Sequence, residues 1–206
     1  MKVDFHIHTK YSPDSFTSLE LLKKIFDKKG LFPVITDHNT IKGALKFKKQ
    51  FGDCIIGEEI KTQQGEVIGL FLNEEIPKGL SLNDTIDRIK SQGALVYLPH
   101  PFDIARKGVG KLNIKADIVE VFNARVIFQK FNREAQSYAF RNSLLMASAS
   151  DAHFARHVGY SYVELEDFYG KSGLLRSLRK GKLVKRKTPI LALPITTSVR
   201  WARKLF

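Results

Sequence analysis

The sequence predicts an α/β fold built on parallel strands. Two observations carry this. Apolar runs alternate with helical patterns along most of the chain, and strand followed by helix implies parallel strands joined by crossovers. Polar residues able to hold a metal also recur where the apolar runs end, and in parallel α/β folds those ends share one face. The 206 residues fit one domain, or two small ones. With 43% apolar and 27% charged residues, the composition excludes a largely disordered, collagen-like or coiled-coil chain.

The elements follow in order. Strands are expected at 3–8, 33–36, 54–60, 67–72, 94–98, 118–122, 145–149 and 160–165. Thr17-Ser-Leu-Glu20 reads as a capping box opening a helix to about Lys29, stopped by Gly30. Further helices are expected at 41–51, 82–92, 128–140 and 174–180. In the third of these five helices, Leu82, Ile86 and Ile89 give the spacing of a one-sided helix, with Gly93 beyond its end. One exception interrupts the parallel pattern. The strands around Glu59 and Leu72 are joined by Gln63-Gln64-Gly65, which reads as a hairpin. Pro189 and Pro194 argue against a long helix after Lys180.

Charge divides the chain unevenly. The 34 Lys+Arg exceed the 21 Asp+Glu by 13. Residues 171–206 hold 11 of the cations and no acid, so residues 1–170 are nearly neutral. We therefore expect a main domain over 1–170 and a basic helix and tail over 171–206, packed on it or extending from it. Such a segment suits a polyanion, nucleic acid included, although charge alone selects no partner. The tail offers only Trp201 and Phe206 for stacking. A single cysteine, Cys54, precludes an intrachain disulfide. The longest uncharged stretch, 188–199, has 12 residues, short of the roughly 20 that a helix needs to cross a bilayer. The start, MKVDFHIHT, is charged where a signal peptide would be apolar. A cytoplasmic protein with no membrane span is expected.

Five strand ends carry the chemistry. They bring His6 and His8, Asp37 and His38, Glu58 and Glu59, His100, and Asp151 and His153. Each alone has an ordinary structural explanation, such as a helix cap, a turn or a surface charge. Together they point to a metal site. The i, i+2 spacing of His6 and His8 puts both imidazoles on one side of a strand. The mixture of imidazole and carboxylate suits Zn, Mn or Fe. The number of donors exceeds what one zinc ion needs, so two or three divalent ions are expected.

These motifs resemble the PHP (polymerase and histidinol phosphatase) superfamily. His6-Ile-His8-Thr9 with Ser12 and Asp14, Ile35-Thr-Asp37-His38, Gly57-x-Glu59, Pro99-His100-Pro101, and Ser150-Asp151-Ala-His153 with Val158-Gly159 run in the family's order. The resemblance implies a distorted (β/α)7 TIM-like barrel with a metal cluster at the C-terminal face of the strands. It also implies His6, His8, Asp14, His38, Glu59, His100, Asp151 and His153 as metal ligands. Pro13 stands where many members have the aspartate of Ser-Asp-Gly, and that role passes to Asp14. Glu66 stands where many members have a histidine. It is either a substitute carboxylate ligand or the mark of a weak or empty metal position.

The resemblance implies a metal-dependent phosphoesterase whose activated hydroxide cleaves a phosphate ester of a nucleotide or other small metabolite. A 5′-to-3′ exonuclease or nucleotidase on short RNA or DNA, using the basic tail, is the alternative. A non-catalytic metal-binding partner protein is a third reading. Asp37 is expected to orient a ligand histidine or position water, and Asp151 or His157 to supply a proton to the leaving oxygen. Arg125 at a strand end, Arg106 and Lys107 after His100, and Arg156 and His157 after His153 are the candidates for phosphate. Glu120 and Asn123 are expected to support the site from behind, and Glu58 to face away from it.

Overall fold

A computed structural model describes residues 1–110 and 114–189. Residues 190–206, with Pro194, Trp201 and Phe206, lie outside it. Among the described residues no helix is long and apolar enough to cross a membrane.

The chain begins with β1 (Lys2–Val3) and α1 (Leu19–Lys29), followed by β2 (Leu31–Phe32), β3 (Val34–His38) and α2 (Lys42–Phe51). Next come β4 (Ile55–Lys61), β5 (Glu66–Leu70), α3 (Leu82–Ser91) and β6 (Leu95–Leu98). The last part carries β7 (Ile118–Asn123), α4 (Gln129–Arg141), β8 (Leu145–Ala149), β9 (Tyr162–Glu164), α5 (Gly170–Leu178) and β10 (Lys182–Val184). All five expected helices form, with shifted ends. The expected capping box is displaced by one residue. Ser18, not Thr17, caps α1, its side chain accepting from Leu21 N. Gly30 closes that helix in the left-handed conformation, φ 63°.

Strands β3 to β8 form one sheet in sequence order, and β10-β9-β1-β2 form a second. In the first sheet β3/β4, β6/β7 and β7/β8 are parallel, whereas β5 runs antiparallel to both neighbours. The expected hairpin is thus the source of the only antiparallel pairings of that sheet. The first expected strand is much shorter than 3–8, because regular pairing stops at Val3. The segment that follows has another task. Ile7 O accepts from Thr36 N on β3 at 2.9 Å, while His8 N donates to Ala152 O just past β8 at 2.9 Å. Ile7 and Ala152 also form an isolated parallel bridge. Residues 6–8 therefore span the gap between the two outer strands of the six-stranded sheet. The ladders do not run continuously around, and the molecule has two sheets joined at this segment.

Three buried apolar clusters fill the interior. One packs α3 and α4 on the sheet through Ile86, Ile89, Val96, Val119, Ala135 and Ala139. A second lies between the two sheets and α5, around Val3, Phe5, Ile68, Tyr97, Val163 and Leu174. The third seats α1 and α2 through Leu22, Phe26, Ala44 and Phe47. Of the expected basic segment, α5 and β10 pack on this body, β10 pairing with β9. Thr188 N still reaches Ala124 O at 2.8 Å.

Candidate metal centre

The strand ends meet at one pocket. Glu59 sits at its centre, delivered by β4, whose pairing sets it beside His38 of β3. Its Oε2 faces His6 Nε2 at 3.3 Å, His8 Nε2 at 3.3 Å and His38 Nδ1 at 3.0 Å, and its Oε1 faces His100 Nε2 at 3.2 Å. Asp151 is the second hub. Its Oδ1 lies 3.7 Å from His6 Nε2, 3.5 Å from His8 Nε2 and 3.3 Å from His153 Nδ1. Asp14 closes one side, 3.6 Å from His38 Nε2 and 3.4 Å from His153 Nε2. Glu66, the first residue of β5, lines the same pocket with Asp14, His38, Glu59, His100, Asp151 and His153.

Four triplets could each hold one ion. They are His8/His38/His153, His6/His8/Glu59, His6/His100/Asp151 and Glu59/Glu66/His100, with donor atoms within 4.8 Å of one another in each. All nine residues expected as ligands are thus brought together. His6 Nε2, His8 Nε2 and His100 Nδ1 are buried yet make no hydrogen bond, an arrangement that is costly without a partner of another kind.

The imidazoles are aimed from behind. His6 Nδ1 meets Glu120 Oε1 at 3.1 Å, and a carboxylate can only accept, so Nδ1 carries a proton and Nε2 is the nitrogen turned to the cluster. For His8 the argument runs through Ser12. Its hydroxyl donates to Asp37 Oδ1 at 2.7 Å and accepts from His38 N at 3.0 Å. Its remaining lone pair must accept from His8 Nδ1, 3.0 Å away, which again leaves Nε2 as the free donor atom. Asp37 is fully engaged by Thr9 N at 2.6 Å, Thr9 Oγ1 at 2.7 Å and Ser12. It does not line the pocket, so of its two expected roles the structure provides for orientation, through Ser12.

Glu120 and Asn123 support the site as expected. Glu120 also accepts from Tyr97 OH at 3.0 Å, His100 N at 2.7 Å and Asn123 Nδ2 at 2.8 Å. Asn123 Nδ2 reaches Asp151 Oδ2 at 3.1 Å. These bonds hold two residues in the left-handed backbone region, His100 at φ 29° and Asp151 at φ 52°. Such backbones cost about 1–3 kcal/mol and persist where the surroundings over-determine them. Glu58 faces the other way, as expected, accepting from Ile76 N at 2.9 Å.

The charges are strongly polarised. Glu59 and Asp151 are driven well below the carboxylate range despite burial, Glu59 by His6 and His38, Asp151 by Arg106, His6 and Arg125. His38 rises to about 10 against its burial, through Glu59 and Asp14.

The cationic candidates separate into two groups. Arg106 and Arg125 line the pocket. Arg106 ion-pairs with Asp151 and donates to Asn123 Oδ1 at 3.0 Å, and Arg125 lies 3.3 Å from Asp151 Oδ1. Lys107 lines the pocket too, 2.9 Å from Glu66. Arg156 and His157 are not among the lining residues. Arg156 Nε donates to His157 Nε2 at 3.1 Å, and the His157 ring packs against Phe154 and Tyr160. Both lie on the 3-10 turn at Ala155–His157, just past His153. Burial pushes the His157 imidazole down to about 4, so the ring is neutral at neutral pH.

One supporting residue escapes a reading by motif. Asp4 accepts from Ser150 N at 2.9 Å and Gly159 N at 2.8 Å, tying the start of the chain to the loop that presents Asp151. Its position two residues before His6 was the available signal.

Fold and cluster define the class: an α/β protein whose strand ends converge on a His/carboxylate centre. Comparisons narrow it. The PHP-associated family matches residues 129–183. The uncharacterised protein MJ0417 of Methanocaldococcus jannaschii is 40% identical over 98% of this chain and 89% of its own length. A two-domain Bacteroides vulgatus protein containing a predicted PHP-like metal-dependent phosphoesterase superposes with a TM-score of 0.71 at 18% identity, over 90% of this chain and 65% of that one. The lesion-specific endonuclease Q of Pyrococcus furiosus gives 0.65 at 15%, over 88% and 57%. This chain thus spans somewhat less than two thirds of either of those two structures. The chain belongs to one family with MJ0417, its residues 129–183 match the PHP-associated family, and its fold is that of the PHP-like structure from Bacteroides vulgatus.

Proposed function

We propose that this protein hydrolyses a phosphate ester of a nucleotide or other small phosphorylated metabolite. The observation that supports it is the meeting of nine imidazole and carboxylate side chains with two arginines at one pocket. The donor set fits divalent metal: unbonded buried imidazole nitrogens and carboxylates held ionised, a mixture suited to Mn, Zn or Fe. His6, His8, Asp14, His38, Glu59, Glu66, His100, Asp151 and His153 would hold two or three ions. Bound ions would polarise the phosphoryl group and lower the pKa of a water from about 15.7 to near 7.

The chain's own residues do the rest. Glu120 and Ser12 fix which nitrogen of His6 and His8 faces the centre. Arg106 and Arg125 present guanidinium groups to phosphate oxygens at the rim. Lys107 adds a third cation beside Glu66. Residues 1–170 carry this site, and of the basic segment α5 and β10 pack on the same body. Phosphate release with Mn²⁺, across mononucleotides, nucleoside bisphosphates and sugar phosphates, tests the reading. Turnover of at least one supports it, and none with metal bound contradicts it.

A second reading, a nuclease on short RNA or DNA, is favoured by the cations of 171–206 and by the likeness to endonuclease Q. Deletion of residues 182–206, which removes seven of those cations, would then weaken binding of a 5′-phosphorylated RNA and flatten its salt dependence. Unchanged binding would remove this reading.

A further inference from the structure

A second cavity opens beside the metal pocket. It encloses about 380 Å³ and is lined by Asp103, Ile104, Ala105, Arg106, Arg125, Ile127, Phe128, Lys130 and Phe131. Ala105, Arg106 and Arg125 line both cavities, so the two are continuous across the arginines. The walls are apolar and unusually open. Ile104 is 77% exposed, Phe128 64% and Ile127 50%. Phe128 and Phe131 stand edge to face, centroids 6.3 Å apart. Large apolar side chains gathered at the edge of a site mark a binding surface.

We propose that this cavity takes the nucleobase of a nucleotide whose phosphate is held at the metal pocket. The inference rests on the proposed phosphoesterase reading and names its substrate class. A phosphate gripped by Arg106 and Arg125 has its ester substituent directed either to solvent or across the arginines into this space. A bare sugar would meet isoleucine and phenylalanine there and lose hydration for nothing. A base can lay its flat face on one of Phe128 and Phe131 and its edge against the other, and its ring atoms can bond to Asp103 and Lys130. Base-on-aromatic stacking is sequence-tolerant, so the cavity selects for a base without selecting which.

The test compares an adenosine phosphate with ribose 5-phosphate. In the wild type kcat/KM favours the nucleotide, and Phe128→Ala reduces that preference about tenfold. Phe128 is exposed at the start of α4, so the variant keeps the core. Ile104→Ser is the second variant, expected to act in the same direction. Saturation-transfer NMR with adenosine, which has a base and no phosphate, reads the cavity without catalysis. Base protons should be saturated by the wild type and much less by Phe128→Ala. Saturation without turnover of any phosphate ester would leave the cavity assigned and overturn the hydrolase. An unchanged preference in both variants, or no saturation by the wild type, would overturn the cavity.

Discussion

His6 and His8 lie two residues apart on one segment, yet their surroundings drive them in opposite directions. Burial disfavours a proton on both. Around His6 the carboxylates of Asp151, Glu59 and Glu120 win, and its pKa stands well above the ordinary value. Around His8 the imidazoles of His153 and His38 add to burial, and its pKa falls well below. His8 is therefore a neutral donor held in one tautomer by Ser12. Ser12→Ala removes that restraint and should lower metal affinity about 10–100-fold in a competition titration against a chelating indicator. Unchanged affinity would refute the role of Ser12. Glu58 supplies a pH test away from the pocket. Burial, with Glu75 nearby, raises it from 4.5 to about 7. A raised acid favours the protonated fold, so its contribution is complete below pH 4.5 and is lost as pH climbs to about 7. Glu58→Gln keeps an acceptor for Ile76 N without the charge. It should raise Tm at pH 8 and change it little at pH 4.5; an equal shift at both would contradict the assignment. The histidines of the pocket were legible as residues at the ends of apolar runs. Asp14 and Glu66 emerged only from the resemblance, since neither ends such a run. Asp4 was missed because its partner Ser150 lies 146 residues away, beyond the reach of local pattern.

Elements place these residues by close approach. Helix α2 comes so near the site that a Cβ on Gly43 would collide with Asp37 Oδ2 and lie 2.8 Å from Thr9 Oγ1. Gly43→Ala must therefore displace the helix or break the Asp37–Thr9 pair. We expect a loss of about 1–3 kcal/mol in urea unfolding, together with weaker metal binding. Destabilisation with metal affinity intact would separate α2 from the site. The loop after His100 is pressed down in the same manner, since a Cβ on Gly108 would lie 2.5 Å from both His100 O and Pro101 O. That approach brings Arg106 and Lys107 over the pocket. Helices were readable because their caps and apolar spacing are local. The extent of the first strand was not. Asp4 to His8 alternate like a strand, but only residues 2–3 pair regularly, and the rest bridges two sheet edges.

At the scale of the molecule, the centre collects residues from position 6 to position 153, so the fold and the site depend on each other. Buried imidazole nitrogens left without a hydrogen bond oppose the folded state. Ions that bind only the folded chain stabilise it by mass action. Chelation should lower Tm, and stoichiometric Mn²⁺ or Zn²⁺ should raise it by several degrees, about 2–4 °C for each kcal/mol in a chain of this size. An unchanged Tm would mean that the cluster takes no ion. Alternation indicated an α/β fold, but not how the sheet closes. Closure here depends on a few hydrogen bonds from residues 6–8 that leave no periodic trace.

The most direct measurement is metal content and phosphate release on the same preparations of wild type and His8→Ala. The wild type should carry two or three divalent ions per chain and release phosphate from at least one small ester. His8→Ala should lose metal and fall at least about 100-fold in kcat/KM, a loss of roughly 2.7 kcal/mol of transition-state stabilisation. Hydrolysis by His8→Ala at the wild-type rate would contradict the account.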